Sequence, residues 1–117
     1  MWLIRAEQLR AFEDVALARF ERDAVAHLHR ALPERCTTLG PSAVARSVRR
    51  AIIKARGYGI TSELDVLKFL NLMYLLDFDF DTDPRFAWAA DRLNAEDVEP
   101  SVRLQLILDR ATRELAP

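Results

Sequence analysis

Apolar positions recur every three or four residues along most of the chain. Leu9, Phe12, Ala16, Phe20, Ala24, Leu28 and Ala31 keep to one helical stripe, which predicts a first helix from about Arg5 to Leu32. At 1.5 Å per residue a helix of roughly 28 residues spans about 42 Å, long against the ~13 Å radius of gyration of a compact chain of this size. Pro33 ends or kinks it, and Pro33 to Leu39 leaves room for one short turn closed by Gly40. A second helix is expected from Pro41 or Ser42 to Arg56, stopped by Gly57, with Val44, Val48, Ala51, Ile52 and Ala55 inward.

Thr61 or Ser62 caps a third helix that runs to about Leu76. Its apolar residues fall on most sides, so it is expected to be the most buried. Residues 77 to 83, Asp-Phe-Asp-Phe-Asp-Thr-Asp, alternate with period two, but no other segment reads as a partner strand and an extended loop is expected. Asp83-Pro84 starts a fourth helix through Leu93, ended by Asn94. A fifth runs from about Pro100 to Leu115, with Leu104, Ile107, Leu108, Ala111 and Leu115 on one stripe. The expectation is an all-α, compact bundle of about five helices with a long first helix, forming a single helical domain over residues 1–117.

Composition agrees with a globular chain: of 117 residues, 50% are hydrophobic and 30% charged, with only three Gly and five Pro. Met1-Trp2-Leu3-Ile4 gives way at once to Arg5 and Glu7, which does not read as a signal peptide. The longest run without a charge is Cys36 to Ala45, half the ~20 apolar residues of a membrane span. No membrane partner is expected. The single cysteine, Cys36, fits a reducing cytoplasm and reads as a small buried apolar residue.

The net charge of -1 hides an asymmetry. Residues 1–60 hold eleven Arg or Lys against six Asp or Glu, whereas residues 77–99 hold eight acids against Arg85 and Arg92. Arg46, Arg49, Arg50, Lys54 and Arg56 share the outer half of the second helix, either as a solvated face balanced by the acidic loop or as a surface for a protein or nucleic acid. The helix that follows is apolar and opens on Glu63 and Asp65, unlike a recognition helix. Nucleic acid is expected to bind at most weakly.

Asp77, Asp79, Asp81 and Asp83 resemble the opening of a calcium loop, but neither register has Gly at position six or Glu at position twelve. No metal is expected there; Phe78 and Phe80 would pin the loop to the core while its carboxylates face water. Asp23 and His27, one turn apart on the apolar side of the first helix, read as a structural hydrogen-bonded pair. Two histidines and one cysteine do not make a zinc site, and no nucleophile elbow, dinucleotide fingerprint or phosphate loop occurs. Neither a cofactor nor an enzymatic activity is expected.

Ala55-Arg56-Gly57-Tyr58-Gly59-Ile60-Thr61-Ser62-Glu63-Leu64-Asp65-Val66, then Leu70-Asn71-Leu72-Met73 and Phe80-Asp81-Thr82-Asp83-Pro84, resemble a group of small helical proteins encoded beside effectors and spike-tip proteins of the bacterial type VI secretion system. Glu7-Gln8-Leu9, Ala11-Phe12, Arg19-Phe20 and Pro33-Glu34-Arg35-Cys36 extend the likeness over about residues 5 to 84. It implies an accessory or chaperone-type protein, without catalytic residues, that binds a secretion effector, a spike component or another chaperone. The alternatives are an immunity protein that blocks a toxin, with the acidic loop as its plug, and a weak nucleic-acid-binding regulator. Trp2, Leu3 and Ile4 form an aromatic-aliphatic cluster suited to anchor a heteromeric or homo-oligomeric contact. Arg46, Arg49, Arg50 and Lys54, with Asp77, Asp79 and Asp81 opposite in sign, would set its orientation.

Overall fold

Residues that cannot continue a helix, or that readily begin one, set the boundaries of every element. The computed structural model describes the backbone of residues 6–115 and the side chains of residues 16–114. Among these residues there are α-helices α1 (Ala6–Ala31), α2 (Pro33–Leu39), α3 (Pro41–Gly57), α4 (Glu63–Leu75), α5 (Ala87–Leu93) and α6 (Pro100–Leu115), a 3-10 turn over Pro84–Phe86, and no strand. The chain is all-α, as the periodicity predicts. Among the described residues the helix beyond the five expected is α2, where the spacing predicts only a short turn.

Packing divides the chain into two units, Met1–Val48 and Arg49–Pro117. The division falls inside α3. In the first unit, α1 and α2 pack on each other. Pro33 drives the preceding residue out of the helical region, and Leu32 accordingly has φ -136 and ψ 61. The break is only one residue wide, since Leu32 N–H still donates to Leu28 O at 2.7 Å and Cys36 N–H to Leu32 O at 3.1 Å. Gly40 closes α2 with φ +87, a conformation that a side chain would strain.

Ala24, Leu28, Cys36, Val44 and Val48 are buried, while Ala16 and Phe20 are half-buried and Ala31 is exposed. Leu9 and Phe12 lie outside the described side chains. Asp23 is exposed, correcting its place on the apolar side: it stands about 100° from Ala24 around the helix. His27 is half-buried. Burial raises the Cys36 thiol pKa, and nearby Arg35 only partly offsets this.

In the second unit α6 packs against both α4 and α5. Ser62 caps α4, its Oγ accepting from Asp65 N–H at 3.2 Å. Helix α4 is the apolar centre, with Val66, Phe69, Leu70, Leu72, Met73 and Tyr74 buried. Leu104, Ile107 and Ala111 of α6 are buried and Leu108 is half-buried, the stripe read from spacing; the Leu115 side chain lies outside the described ones. The expected helix from Pro84 to Leu93 begins as the 3-10 turn before becoming α5. Asp83 caps it, accepting from Arg85 N–H at 2.9 Å, and Asn94 ends it.

Candidate functional site

The second half of α3 presents two kinds of surface. Ala51, Ile52 and Ala55 face inward, as their spacing predicts. Lys54 stands at the edge of that buried stripe, and its four-carbon stem carries the ammonium over the loop that follows α4. There Lys54 Nζ donates to Asp81 Oδ1 at 2.7 Å, to Asp79 Oδ1 at 3.0 Å and to the Phe78 carbonyl at 3.3 Å. Three acceptors saturate the ammonium. Arg50 pairs with Asp79 one turn earlier.

Asp81 is also fixed from its other oxygen, because Tyr58 Oη donates to Oδ2 at 3.0 Å. Burial, followed by the hydrogen bond to Asp81 and its charge, pushes the Tyr58 phenol up to about 12. The hydrogen bond from Lys54 is the main reason that the Asp79 carboxyl is held below its ordinary value. Tyr58 reaches this position through a tight turn after α3, in which Ile60 N–H returns to Ala55 O at 2.9 Å and Gly59 takes φ +77.

Residues 77–83 are a series of turns, not an extended loop. Phe80 N–H donates to Asp77 O at 3.0 Å, and Asp83 N–H to Asp79 O at 2.9 Å. Folding the segment back puts Phe80 in the core, 5.1 Å from Phe69 between ring centroids, and Phe78 edge-on to Tyr74 at 5.0 Å. The rings do pin the segment, but its carboxylates do not all face water. Asp81 is buried, because the same turns that bury Phe80 bring the adjacent carboxylate under Lys54 and Tyr58.

Asp77 and Asp83 have separate work. Asp77 Oδ1 accepts from Asp79 N–H at 2.9 Å, and Arg85 bridges Asp83 and Asp77 at 2.7 and 3.4 Å. The hydrogen bonds from Arg85 lower the Asp83 carboxyl pKa, and Asp83 raises that of Arg85. Among the described residues no group of three or more His, Cys, Asp or Glu is arranged to hold a metal ion. The four aspartates serve turns and cations of the chain itself.

Arg50, Lys54, Asp79 and Asp81, expected as two outward surfaces of opposite sign, are therefore joined to one another. Arg46, Arg49 and Arg56 are exposed on α3. Beside them is Ile53, a large apolar side chain left 71% exposed. Arg49 and Arg56 stand within about 60° of Ile53 around the helix. Trp2, Leu3 and Ile4 lie outside the described residues.

Two contributors escape the reading from spacing: Tyr58 and Arg103. Arg103 is buried, and its Nη1 donates to Leu93 O at 2.6 Å and Tyr58 O at 3.1 Å. Its place four residues before Ile107, on the apolar side of α6, is the signal that a charged residue there would be buried. No family model, curated protein or solved structure matches this chain. Among the described residues, no helix is long and apolar enough to cross a membrane.

Proposed function

We propose that this chain is a non-enzymatic accessory protein that binds a protein partner through the outer face of α3. The observation that carries this reading is Ile53, 71% exposed between two exposed arginines, Arg49 and Arg56. An isolated exposed isoleucine is ordinary on a protein surface. One flanked by arginines matches the makeup of an interface, where an apolar anchor is ringed by groups that steer a partner of opposite charge. The partner's matching surface is acidic with an apolar pocket.

The resemblance over residues 5 to 84 supplies the partner class: a type VI secretion effector, a spike component or another chaperone, met in the bacterial cytoplasm. The immunity reading draws less support from the geometry, because the acidic segment that would serve as a plug has Asp81 buried and Asp79 bound to Arg50 and Lys54. Weak nucleic-acid binding loses two of its five cations to the same contacts.

Affinity purification from the producing cell with mass spectrometry, followed by reconstitution from purified components, tests the reading. A stoichiometric complex with an effector or spike component, and no protection in a toxin-survival assay, is the expected result. Survival conferred against a co-encoded toxin, or a complex formed only with nucleic acid, would overturn it.

A further inference from the structure

A cleft of about 270 Å³ opens beside the turn after α3, lined by Gly57, Tyr58, Gly59, Asn94, Glu96 and Arg103. It lies wholly within the second unit. Arg103 is only 5% exposed, yet no described carboxylate pairs with it. Its hydrogen bonds, to two backbone carbonyls, are both made by Nη1. Nε is buried with no acceptor, and Nη2 has none among the described residues.

A buried guanidinium without a counter-charge is costly, because carbonyl dipoles replace only part of the lost hydration. The two nitrogens left over are the informative ones. Nε and Nη2 form one edge of the planar guanidinium, and two parallel N–H groups on that edge match the two oxygens of a carboxylate. Nη1, holding the Tyr58 and Leu93 carbonyls, fixes the plane of the group against both walls. The cavity is smaller than the usual pocket for a drug-sized molecule, and it suits a short carboxylate. Glu96, exposed on the lining, disfavours a doubly charged anion more than a singly charged one.

We infer that this cleft is a binding site for a small carboxylate, with Arg103 as the recognition residue. The carboxylate engages Nη2, the nitrogen without an acceptor that is not buried, with its charge beside the buried Nε. Two sources share this chemistry: the C-terminus of a polypeptide and a free organic acid.

Titrating the protein labelled with nitrogen-15 tests the assignment, followed at the Arg103 Nε–H and the Gly57 and Gly59 amides. The probes are N-acetylalanylglycine, its C-terminal amide, propionate and inorganic phosphate. The expected result is saturable shifts with a Kd on the order of 1 mM for a carboxylate probe, and none with the amide. A preference for the dipeptide assigns a chain terminus, and a preference for propionate assigns a free acid.

Because Arg103 also holds two backbone carbonyls, its substitution alone would confound binding with folding. Glu96→Gln, at an exposed position, is expected to tighten carboxylate binding roughly two- to fivefold, the scale of an exposed charge interaction. Arg103→Lys, where circular dichroism shows a native fold, should weaken it at least tenfold. Equal binding of the amide or of phosphate, no saturation by about 50 mM, or no effect of Glu96→Gln would overturn the inference.

Discussion

Lys54 Nζ lies 2.7 Å from Asp81 Oδ1, with the two side chains 17% and 6% exposed. The pair joins the end of α3 to the turn after α4, and Tyr58 completes it by donating to the second oxygen of Asp81. Removing Lys54 leaves the buried Asp81 carboxylate without a cation, which costs more than an exposed pair contributes. Lys54→Met is therefore expected to destabilise the protein by about 3 kcal/mol. Asp79→Ala, which removes a half-exposed carboxylate, should cost clearly less than Lys54→Met. Urea unfolding of Lys54→Met, Asp79→Ala, Asp81→Asn and Lys54→Met/Asp81→Asn checks the order of the losses and gives the coupling of Lys54 to Asp81.

Acid should weaken the ion pairs of Asp79 and Asp83. Folding lowers the pKa of Asp79 and Asp83, so the stability they contribute is present above the ordinary carboxylate range. It is lost as pH falls through their folded values, below about pH 4. Unfolding midpoints measured from pH 7 downward should decline in that window, and Asp79→Asn with Asp83→Asn should flatten the decline.

Tyr58 reports on the pair from the alkaline side. Its pKa is raised to about 12, so its contribution is complete below the ordinary phenol value near 10 and is lost as pH rises toward 12. Ultraviolet titration of wild type against Tyr58→Phe should assign an ionisation near 12 to this residue. Asp81→Asn, which removes the acceptor charge, should bring it down.

Cys36 should behave as an inert thiol. Burial raises its pKa and closes access, so alkylation in native buffer is expected to be far slower than in denaturant. Mass spectrometry of timed reactions distinguishes this from a reactive cysteine, which would label at comparable rates in both.

Local chemistry made the elements legible. Pro33, Gly40, Pro41, Ser62, Asp83 and Asn94 each act within a few residues of themselves, and their roles follow from backbone constraints. The apolar stripe of α3 was legible for the same reason. The segment from Asp77 to Asp83 was not, because its alternation reads as an extended chain, whereas Phe80 gains more by turning inward beside Phe69. Its aspartates then meet Arg50, Lys54 and Tyr58, residues 23 to 29 positions earlier. No spacing rule reaches across that separation. Arg103 carried a signal, its position on the apolar side of α6, but its acceptors at Tyr58 and Leu93 come from tertiary packing.

The proposed partner surface is centred on Ile53, with exposed arginines beside it on α3. The most direct measurement is the Kd of the reconstituted partner complex for wild type, Ile53→Asp and Leu64→Asp, with unfolding curves for all three. Leu64, 63% exposed on α4, is the control for adding an acid at an exposed apolar position. Ile53→Asp should weaken the complex by roughly 2 kcal/mol or more, with Leu64→Asp close to wild type and all three equally stable. Equal affinity of Ile53→Asp and wild type, or an equal loss in Leu64→Asp, would contradict the assignment of this face.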